Sequence, residues 1–155
     1  MFAKLMRTDP RNLTLTILRL VLGVVFFVHG AQKALGWFGG YGFGGTMGFF
    51  TQQLGIPAPF AVLAICAEFL GGIGLVVGFL SRIAAFGIFC NMAVAVFLIH
   101  QKFGFFMNWG GTQKGEGMEF HLLAIAMTAV IMIAGAGAYS VDAMLTGGAP
   151  PDRLR

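Results

Sequence analysis

The sequence predicts an all-α integral membrane protein, folded as a four-helix bundle in a single domain over residues 1–155. Two observations predict this class. The chain is 57% hydrophobic and only 10% charged, whereas soluble domains average about 25% charged residues. Its apolar residues also form long runs, and a membrane-spanning helix needs about 20 mainly apolar residues. The net charge of +4 does not come from a basic cluster, so nucleic acid is not an expected partner.

The predicted spans cover residues 13–35, 58–80, 82–100 and 118–138. The apolar run of the first is longer than that of a signal peptide, so we expect it to be retained. The second begins at GIPAPF, where proline is tolerated because the first N–H groups of a helix have no intrahelical partner. Only the dipeptide SR lies between the second and third spans, which are therefore expected to be antiparallel neighbours. The fourth ends at GAGAYS.

The distribution of basic residues predicts the orientation. Four spans place both termini on one side of the membrane, and that side carries more Lys and Arg. The positive-inside rule therefore places both termini in the cytoplasm. The basic residues on the terminal side are Lys4, Arg7, Arg11, Arg82, Arg153 and Arg155, and those on the opposite side are Lys33, Lys102 and Lys114.

The first span carries ionisable residues on one face. Arg19, His29 and Lys33 fall on the same side of a helix that turns about 100° per residue. Gly23 and Gly30 lie beside this face and would allow a neighbouring helix to approach closely. Ionisable residues within a membrane span are functional-site hypotheses by default. We expect this face to point into the bundle.

Glu68 lies near the middle of the second span. A charged side chain there costs about 2.5–3.5 kcal/mol on insertion scales, so the carboxyl is either protonated or paired with a cation. The partner is Arg19 from the inner side, or His29 or Lys33 from the outer side. One interpretation is an ion pair that fixes helix register. The other is a site for a proton, a quinone or a small substrate.

The outer half of the bundle collects further polar residues. His100 ends the third span, and Glu119 and His121 begin the fourth. We include all three with Arg19, His29, Lys33 and Glu68 in the candidate polar site. Histidines from three helices could bind a metal or haem, but no local ligand motif supports this, so we expect neither. At the cytoplasmic side, Asp142 is predicted to pair structurally with Arg82 or Arg19.

Several motifs together resemble the DoxX family of small four-helix bacterial inner-membrane proteins. The resemblance covers about residues 13–142. It rests on the ordered set RLVLGVVFFVHGAQKAL, AEFLGGIGLVVGFLSRIAA, GMEFHLL and GAGAYSVD. It implies a multi-pass protein of the bacterial inner membrane. The family is named for a subunit associated with a thiosulfate:quinone oxidoreductase, and related members are implicated in redox-linked membrane complexes and in oxidative or thiol stress.

The function expected from this resemblance is a quinone- or redox-associated subunit of a membrane complex. If the protein is enzymatic, it acts as an oxidoreductase subunit with a quinone or a partner protein. A quinone is the cofactor to consider, and the partners to consider are the lipid bilayer, a redox protein and a second copy of the chain. The alternatives are a scaffold that anchors a soluble partner and a small proton-coupled carrier. The sequence identifies no substrate.

Overall fold

The computed structural model describes residues 2–147, and this range is helical with no strand. The four longest helices form the bundle, which confirms the predicted all-α class. The α-helices of this range are α1 (Phe2–Met6), α2 (Leu13–Leu35), α3 (Gly42–Gly48), α4 (Ala58–Val77), α5 (Ser81–Ala95), α6 (Glu119–Ala134) and α7 (Val141–Leu145).

Three helical stretches of the described range are long and apolar enough to cross a membrane. They are Leu13–Leu35, Ala58–Val77 and Ser81–Phe103. The third consists of α5 and its continuation through a wide π turn and a short 3-10 turn. α6 is also apolar but has 16 residues, a length of about 24 Å at 1.5 Å per residue. The hydrocarbon core of a bilayer is about 30 Å thick, so α6 alone is short for a span.

α6 ends at Ala134, whereas the sequence predicted a span as far as residue 138. Gly135 adopts φ +91°, a left-handed value that stops the helix. The chain then contacts the first turns of α2. The N–H of Ala138 donates to the carbonyl of Asn12 at 3.1 Å, and the hydroxyl of Thr16 donates to the carbonyl of Ala138 at 2.8 Å. The backbone that leaves the helix is thereby satisfied inside the protein, as non-helical chain at membrane depth requires.

The helices pack in chain order, α2 on α4, α4 on α5 and α5 on α6, and α6 also contacts α2. The buried core lies between them and includes Phe26, Leu75, Ile88 and Ile131. These side chains are at most 1% exposed, so the bundle interior is as apolar as the composition predicts. This core separates two polar ends of the bundle.

Glycines bring α2 and α4 together. A Cβ on Gly30 would lie 2.4 Å from the Cα of Phe69, and one on Gly72 would lie 2.4 Å from the nitrogen of Phe27. No side chain fits at either position, so the backbones touch. The close approach predicted from the glycines of the first span is confirmed.

The two ends differ in chemistry. We call them the arginine end, which carries Arg19, Arg82 and Asp142, and the histidine end, which carries His29, His100 and His121. The N-terminal segment and α7 both lie at the arginine end, because Arg82 donates to the carbonyl of Arg7 and Asp142 accepts from the start of α5. Arg153 and Arg155 lie outside the described residues. The cytoplasmic location of the arginine end stays a prediction of the positive-inside rule.

Candidate functional site

An ion pair joins α2 and α4 within the bundle. The Nζ of Lys33 lies 2.5 Å from Oε2 of Glu68, and the Glu68 side chain is only 4% exposed. Gly30 makes this contact possible, because it lets α2 lie directly against the backbone of Glu68 and Phe69. Of the three partners considered for Glu68, the structure brings it to Lys33 and not to Arg19 or His29.

A third helix contributes to the same site. The side-chain amide of Asn91, on α5, donates from Nδ2 to Oε1 of Glu68 at 2.8 Å. Each oxygen of the carboxylate therefore has a donor. We call Lys33, Glu68 and Asn91 the polar triad. The sequence analysis missed Asn91, although an amide within an apolar span is itself a signal, since such groups hydrogen-bond across helices.

Arg19 does not belong to this site, contrary to the prediction. Its side chain caps the end of α4, where Nη1 donates to the carbonyl of Leu75 at 2.5 Å and to that of Val76 at 2.6 Å. Its other nitrogens donate to Ala136 at 3.0 Å and Tyr139 at 3.1 Å. The last carbonyls of a helix have no intrahelical donor and carry partial negative charge, so a buried guanidinium satisfies them.

Arg82 performs the same task for α6. It donates to the carbonyls of Met132 at 2.9 Å and Ile133 at 3.0 Å, and to that of Arg7 at 2.7 Å. Arg82 and Asp142 both lie in the described range, and the ion pair predicted between them does not form there. The guanidinium of Arg82 instead donates hydrogen bonds to backbone carbonyls.

Asp142 caps the start of α5. Its two carboxylate oxygens accept from the N–H groups of Leu80 at 2.8 Å and Ser81 at 2.9 Å. The first N–H groups of a helix lack partners and favour an anion. The carboxylate interacts electrostatically with both Arg19 and Arg82 without contacting either as an ion pair. The arginine end is therefore a cluster of helix caps, and the arginine pair predicted for Asp142 does not form.

The three histidines lie at the opposite end. The rings of His100 and His121 have centroids 3.9 Å apart. His121 is 7% exposed, and its Nδ1 has no hydrogen-bond partner. The Nδ1 of His100 lies 2.8 Å from the carbonyl of Glu116. His29 is exposed on the surface of the bundle, with its ring centroid 6.0 Å from that of Phe120.

Glu119 turns away from the polar triad. One of its oxygens accepts from the N–H of Met107 at 2.9 Å and from the indole of Trp109 at 3.0 Å. It therefore closes the loop between α5 and α6, a role that differs from its predicted membership of the intramembrane site. In residues 2–147, no group of three His, Cys, Asp or Glu side chains is arranged to hold a metal ion.

A long apolar groove runs between α4 and α5 on the surface of the bundle. Its volume is about 630 Å³. Its wall includes both cysteines, Cys66 and Cys90, which are free thiols. Asn91 is the one amide or charged side chain among the described residues that line it. Through Asn91 the groove reaches the polar triad.

Comparison with known proteins decides the family. The DoxX family model matches residues 14–101 of this chain. The chain belongs to the DoxX family. The matched region contains α4, α5 and all but the first residue of α2, with all three members of the polar triad. It is shorter than the region over which the motifs resemble the family, because it ends before α6.

Two curated proteins are similar to this DoxX chain. The "Inner membrane protein YqjF" of Escherichia coli (strain K12) is 28% identical over 129 residues, which are 83% of this chain and 89% of that protein. The "Putative oxidoreductase CatD" of Bacillus subtilis (strain 168) is 29% identical over 92 residues, 59% of this chain and 63% of that protein. No solved structure matches the chain. The protein is a multi-pass protein of the inner membrane.

Proposed function

We propose that this DoxX protein is a quinone-associated subunit of a redox-linked membrane complex, and that the polar triad binds the quinone headgroup. One observation carries the proposal. Asn91 belongs both to the triad, where it donates to Glu68, and to the wall of the apolar groove. A ligand with a polar head and a long apolar tail is the class of molecule that fits such an arrangement.

The donors of the triad suit a quinone. Lys33 carries N–H donors and no acceptor, and the amide of Asn91 has a second N–H besides the one that Glu68 accepts. Carbonyl oxygens of a headgroup are acceptors that these donors can satisfy. Glu68 is the group of the triad that can take up or release a proton near such a head. A bound quinone supplies the redox chemistry, since it takes up a pair of electrons and a pair of protons on becoming a quinol.

The groove suits the tail of such a ligand. Its wall is made mainly of apolar side chains of α4 and α5, among them Phe60 and Phe86, together with small residues such as Gly71 and Gly87. An isoprenoid chain in it would remain in contact with the bilayer. In this proposal the electrons come from a partner redox protein. The similarity to a protein named a putative oxidoreductase supports the redox class.

The experiment is quinone binding by the purified protein in nanodiscs, measured as quinone retained after washing. We expect saturable binding of a prenylated quinone by the wild type and weaker binding of its tail-less analogue. Asn91→Leu should reduce binding at least about tenfold, the effect of losing a hydrogen bond of about 1.4 kcal/mol. Phe89→Leu is the matched control, since Phe89 lies in α5 but neither lines the groove nor belongs to the triad. Equal retention by wild type and Asn91→Leu would contradict the proposal.

One observation favours a scaffold as the second candidate. Both oxygens of Glu68 already have donors within the protein, so the triad could serve only to hold α2, α4 and α5 together. The exchanged pair Lys33→Glu with Glu68→Lys separates the two functions. A scaffold requires only the ion pair and should keep its function. In a quinone site, the exchange moves the ammonium and the carboxylate away from the positions that the headgroup requires. This variant should therefore fold but bind quinone weakly.

A further inference from the structure

We infer that the loop between α5 and α6 inserts aromatic side chains into the bilayer and so completes the span that α6 leaves short. The side chains are those of Phe105, Phe106 and Trp109, which are 49%, 66% and 86% exposed. A group of exposed aromatic side chains marks a surface that binds lipid or another protein. The height of the loop along the bundle and its hydrogen bonds favour lipid. This insertion does not depend on quinone binding.

The loop lies beside the last turns of the span that contains α5. At the arginine end this span and α6 are level, because Arg82 in the first turn of α5 donates to the carbonyl of Met132, near the end of α6, at 2.9 Å. From there Ser81–Phe103 extends over 23 residues and α6 over 16, which gives about 34 Å and about 24 Å at 1.5 Å per residue. The loop therefore occupies about the last 10 Å of the height of the longer span.

Direct contacts hold the loop against that last part of the longer span. Nδ1 of His100 lies 2.8 Å from the carbonyl of Glu116. A Cβ on Gly115 would lie 2.6 Å from the ring of Phe103, so the returning arm of the loop packs directly on the end of the helix. A bilayer measures about 30 Å across its hydrocarbon core and about 40–45 Å with its headgroups, so chain at this height lies within the membrane and not in bulk water.

Hydrogen bonds close much of the loop backbone within the protein, as a membrane requires of non-helical chain. Three successive carbonyls accept from N–H groups at or just before the start of α6 at 2.9 to 3.2 Å, and the pairs are Gly104 with Met118, Phe105 with Glu119 and Phe106 with Gly117. The next two N–H groups, of Met107 and Asn108, donate to carboxylates at 2.9 and 2.7 Å. The segment that carries the exposed rings is therefore folded onto the start of α6 and presents its side chains outward.

The loop has one aromatic arm and one polar arm. Residues 103–109 read FGFFMNW and residues 110–116 read GGTQKGE. The indole N–H of Trp109 donates to the carboxylate of Glu119 at 3.0 Å while the ring stays exposed. Tryptophan is enriched where a membrane meets water, because its ring is apolar and its N–H is satisfied at one edge. The aromatic arm therefore faces lipid and the polar arm faces water.

Tryptophan fluorescence tests the insertion, because the chain has only two tryptophans, Trp37 and Trp109. In the full-length Trp37→Phe variant in nanodiscs, Trp109 is the single emitter. We expect its emission at shorter wavelength than that of tryptophan in water, loss of most of its intensity with lipids brominated near the headgroup, and little quenching by iodide. The matched control is Gln113→Trp, in the polar arm, combined with Trp37→Phe and Trp109→Phe. Its emission should be quenched by iodide and not by brominated lipid.

Equal quenching of Trp109 and of the Gln113→Trp emitter by iodide would overturn the insertion and leave the aromatic arm to a partner protein. If Trp37→Phe does not fold, cysteine labelling decides without it. In a chain with Cys66→Ala and Cys90→Ala, a membrane-impermeant maleimide should label Phe106→Cys much more slowly than Gln113→Cys. Equal labelling rates at the two positions would overturn the insertion. Neither measurement involves quinone, so the insertion and the proposed function fail or stand separately.

Discussion

Lys33 reaches Glu68 because α2 and α4 meet backbone to backbone one helical turn before the lysine. Gly30, at that contact, leaves no room for a side chain against Phe69, and the ammonium then lies 2.5 Å from the carboxylate. The close approach of the two helices thus brings an ammonium and a carboxylate together within an otherwise apolar bundle. The geometry links helix packing to the chemistry of the site, and each of these features can be changed separately.

Removing the cation of the triad should destabilise the protein. Lys33→Met leaves the Glu68 carboxylate with Asn91 as its donor. We expect a loss of about 2–3 kcal/mol in the free energy of unfolding in micelles, below the 3–5 kcal/mol typical of a broken buried pair, because the Lys33 side chain is 27% exposed. Adding Glu68→Gln should restore most of it. A double variant less stable than Lys33→Met would argue against the ion pair.

Filling the contact between α2 and α4 should be costly. Gly30→Ala places a methyl group 2.4 Å from the backbone of Phe69, and we expect a loss of about 1–3 kcal/mol from overpacking. Gly44→Ala is the matched control, because Gly44 lies in α3 and a methyl group there would meet no neighbouring part of the protein within 4 Å. The melting temperatures of the two variants are compared by thermal unfolding. Similar melting temperatures for the two variants would show that the close approach is not required.

The arginine end should depend on Arg19 for folding. Arg19→Met leaves the carbonyls at the end of α4 and the segment after α6 without donors, and each unsatisfied group costs about 1–3 kcal/mol. We expect a loss of at least about 3 kcal/mol or a failure to accumulate in the membrane. Arg11→Met, at an exposed position, should be neutral in the same assay. A stable Arg19→Met protein would mean that the cap is dispensable.

The predicted orientation can be measured by cysteine labelling in intact cells. In a background with Cys66→Ala and Cys90→Ala, a membrane-impermeant maleimide should label Gln113→Cys, in the exposed loop between α5 and α6, because the histidine end faces outward in the positive-inside prediction. Arg11→Cys should be labelled only after the membrane is permeabilised. The opposite pattern would reverse the orientation and place the histidine end on the cytoplasmic side.

Hydropathy sufficed to predict the four long helices, except for the end of α6, because hydropathy follows from the local order of residues. It could not choose between Arg19 and Lys33 as the partner of Glu68. Both lie on the same face of α2, and the choice depends on how far α4 slides along it. That register is set by the Gly30 contact and by the end of α4, whose carbonyls engage Arg19.

The remaining differences between the predicted site and the structure have similar physical causes. Asn91 carries no charge, so a search for ionisable residues in lipid passes over it, although its amide completes the site. Glu119 was assigned to the intramembrane polar site and Asp142 to an arginine, but backbone N–H groups donate to both carboxylates. Such contacts depend on where loops and helix ends lie, which periodicity does not determine.

The most direct test of the proposed quinone site is cross-linking by a prenylated quinone with a photoreactive headgroup, mapped by mass spectrometry on the wild-type protein in nanodiscs. The account predicts adducts on the segments of α4 and α5 around Glu68 and Asn91, lost when unlabelled quinone is added in excess and reduced in Asn91→Leu. Adducts spread evenly over the lipid-facing helices, unaffected by unlabelled quinone, would contradict it.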